Sequence, residues 1–290
     1  MSKRFAVLVA VLFVAASCAS KGGERPTAER PSAEKAQPSS RTQLPPAQSQ
    51  SGPPQTATAP LPPSGATLPT STVSNVPANR WSAVLIAGDN NSPAFDNGVE
   101  GLREKLAQRG VQQIRVLSSN PSRAAAGQIA SSGNVRTAMR GLAGSAACLA
   151  FVTTHGETKG FFLRNDRRFV DPSTLDQALQ AGCGNTPTVV ILSACHSGTF
   201  MTNEMRRPNR VILTAAARDR TSFGCGARDL YTYYDQCLLQ SFDGASTWAE
   251  LASATRSCVD NLERTLSIKT ASDPQSFLGS SVAALRIPGR

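Results

Sequence analysis

The chain is poor in several residue types, and each scarcity argues against a class of protein. Of its 290 residues only 2 are histidine and 6% are aromatic. Few aromatic side chains are present to stack on bases, and the arginines are scattered instead of clustered. The net charge of +10 therefore does not indicate a nucleic-acid-binding protein. The charge predicts only attraction to an anionic envelope surface.

Long apolar runs are also scarce. The run Phe5–Ala16 is too short to span a bilayer comfortably, which takes roughly 20 residues. Two basic residues precede it and small residues follow, which predicts an export signal over residues 1–20. Ala15–Cys18 resembles a bacterial lipobox, in which Cys18 would become the lipidated first residue. Ordinary signal cleavage is the alternative. We expect a periplasmic or cell-envelope lipoprotein, and Ala19 after the cysteine favours the outer membrane.

Large apolar side chains are almost missing from residues 21–79, which hold 12 of the 19 prolines among Ser, Thr, Ala and Gln. Such a segment buries too little surface to offset its ordering entropy, so we expect a disordered linker. A cleavable pro-segment is the competing interpretation. The folded domain is expected at residues 80–290.

That domain alternates between apolar runs and amphipathic helical spacings. The sequence predicts strands at 81–88, 111–117, 146–154, 186–194 and 210–215, a hairpin strand at 161–163, an edge strand at 282–287, and helices at 94–109, 132–143, 171–181, 230–242 and 246–266. Strands that alternate with helices indicate a mainly parallel sheet in a three-layer α/β domain.

Both histidines follow buried strands. His155 ends one apolar run, and Cys195, followed by His196, ends another. The carboxyl ends of parallel strands form one edge of a sheet, so a thiol and an imidazole meeting there form a candidate nucleophile and base. We assign the base to His155, because the side chain of His196 points away from that of its neighbour on an extended segment. The backbone N–H groups of Gly156 and Cys195 would form an oxyanion hole.

A structural role is the more common explanation for a single histidine or cysteine at a strand end, but here the two occur together. A zinc site from His155, Glu157, Cys195 and His196 is disfavoured, because paired cysteines at zinc-binding spacing are missing. We expect no metal and no other cofactor.

The two motifs resemble those of the legumain-like cysteine peptidases, in the larger caspase-like group. That family carries a His-Gly motif and an Ala-Cys-x-Ser-Gly motif, which stand here as Thr154–Gly156 and Ala194–Gly198. Its first strand ends in Ala-Gly-x-Asn, matched by Ala87–Asn90, and the segment 214–225 is also similar. The resemblance covers roughly residues 81–242 and implies a caspase-like three-layer fold.

The resemblance implies further roles. Asn90 would orient the imidazole, and Asp235 would match an aspartate of the substrate pocket. Asp96 and Ser193 stand at approximate positions of other pocket residues, where eukaryotic legumains carry different side chains that help read asparagine. A pocket with Asp96 or Asp235 at its base and no arginine could suit Lys or Arg, so the cleavage preference stays open.

Seven cysteines in an exported protein predict disulfides. With Cys18 lipidated and Cys195 kept as the nucleophile, five remain, so at most two bridges can form. The pair Cys237–Cys258, on neighbouring helices, is the first expectation. Cys148, deep in a core strand, is expected to be a small buried hydrophobe.

The leading hypothesis is a cysteine endopeptidase that acts on peptide or protein substrates through a thioester acyl-enzyme. A transpeptidase that uses the same Cys-His dyad, and a catalytically silent caspase-like binding module of the envelope, are the alternatives. The membrane would be a partner only through a lipid anchor on Cys18.

Overall fold

The computed structural model describes residues 72–125 and 127–290. The predicted export signal and most of the predicted linker lie outside these ranges. The domain begins earlier than the predicted residue 80, because Val76 is buried and its carbonyl accepts a hydrogen bond from Trp81 Nε1 at 3.2 Å. Within the described ranges no helix is long and apolar enough to cross a bilayer.

A six-stranded sheet forms the middle layer of the domain. Its strands are β1 (Trp81–Ala87), β2 (Gln113–Ser118), β3 (Ala147–Thr153), β7 (Thr188–Ser193), β8 (Arg210–Thr214) and β9 (Gln275–Leu278). Their spatial order is β2-β1-β3-β7-β8-β9, and all neighbouring strands run parallel except the last pair, which is antiparallel. Every residue of β1, β3, β7 and β8 is buried, as expected for parallel strands covered on both faces.

Five helices of the described ranges supply the two outer layers. They are α1 (Pro93–Gln108), α2 (Ser132–Arg140), α3 (Pro172–Cys183), α4 (Tyr233–Phe242) and α5 (Trp248–Thr265). Apolar residues of α1, α4 and α5 form one core cluster with one face of the sheet, and those of α2 and α3 form the other cluster. The predicted three-layer α/β fold with a mainly parallel sheet is confirmed.

Two of these helices begin with favourable local chemistry. Ser92 caps α1 by accepting a hydrogen bond from the backbone N–H of Ala94, and Pro93 occupies the first turn, where its missing N–H costs nothing. Thr232 caps α4 in the same way by accepting from the backbone N–H of Asp235. Both caps lie at the edge of the sheet where the predicted reactive residues stand.

A second, smaller sheet follows β3 directly. It is antiparallel and consists of β4 (Gly156–Glu157), β5 (Gly160–Leu163) and β6 (Arg168–Val170). The predicted hairpin strand at 161–163 is therefore confirmed as part of β5.

The predicted edge strand at 282–287 is wrong. Val282, Leu285 and Ile287 are buried, but turns place them in the core, with the Leu285 N–H donating to the Val282 carbonyl. The edge strand is β9, which pairs antiparallel with β8. Alternating apolar residues predicted burial correctly and backbone conformation incorrectly, because both turns and strands can bury such positions.

Two disulfides join described residues. Cys237–Cys258 links α4 to α5, as expected, and Cys148–Cys183 links β3 to the end of α3. The expectation that Cys148 stays a reduced core residue is wrong. Cys195 keeps its thiol.

Candidate active site

The sheet register brings the His155 and Cys195 turns together. β3 and β7 are parallel neighbours with Thr153 opposite Ser193, and the backbone N–H of Thr154 donates to the Ser193 carbonyl at 3.0 Å. His155 and Cys195 each lie two residues beyond these paired positions. Neighbouring strands are ~4.8 Å apart, so the two residues emerge side by side at the carboxyl edge of the sheet.

Gly156 gives direct evidence for this close approach. A β-carbon at this position would collide with the carbonyl oxygen of Cys195 and lie 2.9 Å from the β-carbon of Ala194. Only a residue without a side chain allows the two turns to touch in this way. The glycine after the histidine is therefore required by packing.

Both side chains belong to the face of the sheet that α1 and α4 cover. Alternate residues of a strand share a face, so His155 lies on the side of Thr153 and Cys195 on the side of Ser193. The His155 ring, which is half-buried, meets the Phe95 ring of α1 edge to face, with 5.2 Å between centroids. Cys195 belongs to the core cluster that includes Phe95. The imidazole and the thiol are thus on one side of the sheet.

The thiol of Cys195 contacts the main chain of Ser222. The Ser222 N–H donates to Cys195 Sγ at 3.2 Å, and Sγ lies 3.5 Å from the Ser222 carbonyl oxygen. Both residues are buried, with Cys195 only 1% exposed. Sequence reasoning missed this contact, because no residue type marks a backbone partner that arrives from 27 positions away.

His196 faces another direction. It adopts left-handed backbone angles (φ 56°, ψ 17°), and its Nδ1 lies 3.0 Å from the carbonyl oxygen of Arg218. The His196 ring thus packs against the loop after β8. No group of three or more His, Cys, Asp or Glu side chains in the described ranges is arranged to hold a metal ion.

A buried carboxyl group lies below the two turns. Thr153 Oγ1 donates to Asp235 Oδ2 at 2.6 Å, and a β-carbon at Gly98 would lie 2.6 Å from the same oxygen. The hydroxyls of Ser193 and Thr232 are 3.2 Å apart, and both belong to the surroundings of this carboxyl group. Burial raises the pKa of Asp235 to about 6, although the nearby hydroxyls of Thr153, Ser193 and Thr232 oppose this rise.

The second oxygen of this carboxyl group, Asp235 Oδ1, is buried and has no hydrogen-bond partner among the described residues. An unpaired buried acceptor is costly, so it marks a place where a donor from outside would be stabilised. Thr153 and Ser193 stand two residues before His155 and Cys195, roughly 6.6 Å further down the strands. Thr153 was not predicted, although this shared spacing could have found it.

Asp96 and Asn90 are not brought together with this group. Asp96 Oδ1 accepts from Ser118 Oγ at 2.6 Å at the end of β2, and β1 and β3 separate β2 from β7. Asn90 is exposed in the loop after β1. The observed ring neighbour of His155 is Phe95, so the imidazole-orienting role of Asn90 stays a prediction.

The fold and the paired His and Cys turns define the class of the domain as a three-layer, caspase-like α/β fold. The crystal structure of caspase-1 from Spodoptera frugiperda is similar, with a TM-score of 0.51 and 13% sequence identity over 72% of this chain and 90% of that chain.

The Peptidase C13 family model, that of the legumain family, matches residues 144–258, which include His155, Cys195 and Asp235. The resemblance predicted from the motifs is therefore confirmed. No curated protein matches the chain. The family match and the fold support a cysteine-peptidase-like function.

Proposed function

We propose that the protein is a cysteine endopeptidase with Cys195 as nucleophile and His155 as general base. The sulfur attacks the scissile carbonyl carbon while its proton passes to the imidazole, which then protonates the departing amine. A thioester remains. Water, deprotonated by His155, attacks the thioester and releases the acid product and the thiol. Peptides or proteins are the substrates.

The observation that carries this proposal is the contact between the two turns at Gly156, together with the register of β3 and β7. The same contact sets the backbones of Gly156 and Cys195 side by side. Their N–H groups are the proposed oxyanion hole, in which each donor contributes roughly 3 kcal/mol to transition-state stabilisation.

The test is cleavage of a mixed peptide library by the wild type and three variants. Cys195→Ala is expected to abolish cleavage, and His155→Ala to lower kcat/KM by at least roughly 100-fold, since a positioned base contributes about that much or more. His196→Ala is the matched control and should retain near wild-type activity. Cleavage that survives Cys195→Ala, or equal losses in both histidine variants, would contradict the assignment.

We further propose that Asp235 forms the base of the pocket for the residue on the acyl side of the scissile bond. A single buried carboxylate with an unpaired oxygen, surrounded by hydroxyls and without a neighbouring arginine in the observed contacts, favours a cationic side chain. Lysine and arginine are the substrate residues that fit. Ser193 lies in this pocket, and Asp96, held by Ser118, takes no part in it.

The matched pair for this proposal is Asp235→Asn and Asp96→Asn, since both residues are buried aspartates of the same outer layer. Asp235→Asn is expected to lower kcat/KM for Lys and Arg substrates by at least roughly tenfold relative to neutral ones. Asp96→Asn should leave that ratio unchanged. A library profile without any Lys or Arg preference in the wild type would contradict the proposed selectivity.

We also propose that the protein is exported and held at the envelope by a lipid on Cys18. The support is the sequence pattern of residues 1–20. Metabolic labelling with an alkyne fatty acid should mark the wild type and not Cys18→Ser. Secretion of an unlabelled wild type would favour ordinary signal cleavage instead.

A further inference from the structure

The sulfur of Cys195 meets both polar groups of one residue. The N–H of Ser222 donates to Sγ at 3.2 Å, while the C=O of the same residue lies 3.5 Å from it. Ser222 is only 4% exposed, so water competes little for either group. These contacts involve the main chain and are independent of the serine hydroxyl.

The two groups suit the two protonation states of the sulfur. A thiol S–H can donate weakly to the carbonyl oxygen, whereas a thiolate can only accept and is stabilised by the N–H. The attacking form of a cysteine is the thiolate, and hydrogen bonding to a charged form favours that form. A fixed N–H on the sulfur therefore increases the thiolate fraction at a given pH.

The titratable and charged groups on the surrounding elements do not all favour an anion there. They include His155 after β3, Tyr233, Tyr234 and Asp235 on α4, Arg218, Asp219 and Arg220 on the loop after β8, and Asp96, Glu100, Arg103, Glu104 and Lys105 on α1. Asp235 lies below the thiol, so an uncompensated carboxylate would disfavour a second negative charge. This makes a donor aimed directly at the sulfur important.

Helix α4 fixes the position of this donor. The N–H of Tyr233, the first residue of α4, donates to the carbonyl of Phe223 at 3.0 Å. Gly224 has φ +82°, and a β-carbon there would lie 2.7 Å from Tyr233 Cδ1 and 2.8 Å from its nitrogen. The segment 222–224 is thus seated on the same helix that carries Asp235.

We propose that the main chain of Ser222 is a catalytic partner of Cys195. The Ser222 carbonyl oxygen accepts the S–H of the resting thiol, and the Ser222 N–H donates to the thiolate once the proton has moved to His155. This inference rests on the proposed function, in which Cys195 is the nucleophile. It adds a donor that belongs to neither catalytic motif. In this proposal the N-terminus of α4 holds the segment of Ser222 in place, in addition to carrying Asp235 of the proposed pocket.

The test titrates the thiolate of the full protein by its ultraviolet absorbance, with the Cys195→Ala form of each variant as background. This readout needs no substrate and no reagent that must reach the buried sulfur. Ser222→Pro removes the N–H, and Ser222→Ala, which keeps it, is the matched control. We expect the titration midpoint to rise by roughly one pH unit in Ser222→Pro, a tenfold smaller thiolate fraction below the midpoint, and to stay unchanged in Ser222→Ala.

Gly224→Ala is the second variant, in case Ser222→Pro does not fold. It should push the segment off Tyr233 and also raise the midpoint. Its control is Gly144→Ala, which has a similar φ of +86° but no atom within 4 Å of the new β-carbon. An unchanged titration midpoint in Ser222→Pro would overturn the proposal if that variant folds. If it does not fold, an unchanged midpoint in Gly224→Ala would do so.

The two proposals fail separately. If the midpoint shifts in Ser222→Pro or Gly224→Ala while the wild type cleaves no peptide, Ser222 is kept as the thiolate partner and the peptidase function is removed. Peptide cleavage with unshifted midpoints in the folded variants would do the reverse.

Discussion

At the scale of single residues, the least replaceable position at the site is one without a side chain. Gly156 allows the backbone after His155 to lie against the carbonyl of Cys195, so the geometry of the proposed dyad depends on a missing β-carbon. The reactive residues His155 and Cys195 therefore depend on Gly156, which has no reactive group. A sequence search for reactive side chains alone would miss this glycine.

We predict that Gly156→Ala lowers the free energy of unfolding by about 1–3 kcal/mol, the usual cost of forcing atoms into a filled space. Activity should fall by far more than the unfolded fraction explains, since the two turns must separate. The matched control is Gly133→Ala, where the new β-carbon meets no atom within 4 Å. Chemical denaturation and peptide cleavage measure the two effects. A stable, fully active Gly156→Ala protein would contradict the contact.

The ionised Asp235 of the proposed pocket is expected to lower the stability of the folded protein. Because burial raises its pKa in the folded state to about 6 from 3.8, the stabilising contribution of the neutral acid is fully present below pH ~4. That contribution is lost as the pH rises through about 6. Asp235→Asn should therefore have a higher free energy of unfolding than the wild type at pH 7.5, by up to about 3 kcal/mol, and nearly the same free energy of unfolding at pH 4. Denaturant titrations at the two pH values measure this difference. A variant destabilised at pH 7.5 would indicate a structural carboxylate instead.

Residue-level prediction worked where strand geometry alone decides the outcome. His196 turns away as expected, but it does so through left-handed backbone angles and not through the alternation of an extended strand. Strand geometry predicted that the His155 and Cys195 turns meet at one edge, and the register of β3 and β7 agrees. It could not give the partner of Asp96, because Ser118 reaches it only through the packing of α1 on β2. The Ser222 contact was equally inaccessible, since its position depends on how the loop after β8 sits on α4.

At the scale of elements, the central strands were predictable and the edge was not. β1, β3 and β7 are continuous apolar runs because both faces are covered, and that pattern is strong. β9 (Gln-Ser-Phe-Leu) is short and partly exposed, and pairing with β8 alone defines it. The bridge from Cys148 to Cys183 was missed for a related reason, since the separation of β3 from the end of α3 is a property of the assembled layers.

The disulfide Cys237–Cys258 ties α4, with Asp235 near its start, to α5. We predict that the double variant Cys237→Ala/Cys258→Ala loses about 2–4 kcal/mol of unfolding free energy, as expected when a cross-link across a short loop is removed. Because α4 also carries Asp235 of the proposed pocket, the variant should show a higher KM. Chemical denaturation of the oxidised wild type and of the variant, both without reductant, gives the comparison, because a reductant would also open Cys148–Cys183. No difference between the oxidised wild type and the variant would mean that packing alone holds α4 on α5.

At the scale of the whole molecule, the three-layer architecture places the candidate site at the carboxyl edge of the central sheet. The Peptidase C13 match spans residues 144–258, from before β3 into α5, and thus covers both proposed catalytic turns and the carboxylate below them. The architecture was predictable from the alternation of strand and helix patterns. The beginning of the domain was not, because the short stretch around Val76 has the composition of the linker before it but packs on the core.

The central claim is that a sulfur and an imidazole at this edge share a proton during acyl transfer. The most direct measurement is mass spectrometry of protein quenched in acid during turnover of a Lys-containing peptide ester. We predict a thioester adduct on the peptide that contains Cys195 in the wild type and in His196→Ala, and at least roughly 100-fold slower formation of it in His155→Ala. Turnover with no adduct on Cys195, or equal adduct formation in both histidine variants, would contradict the account.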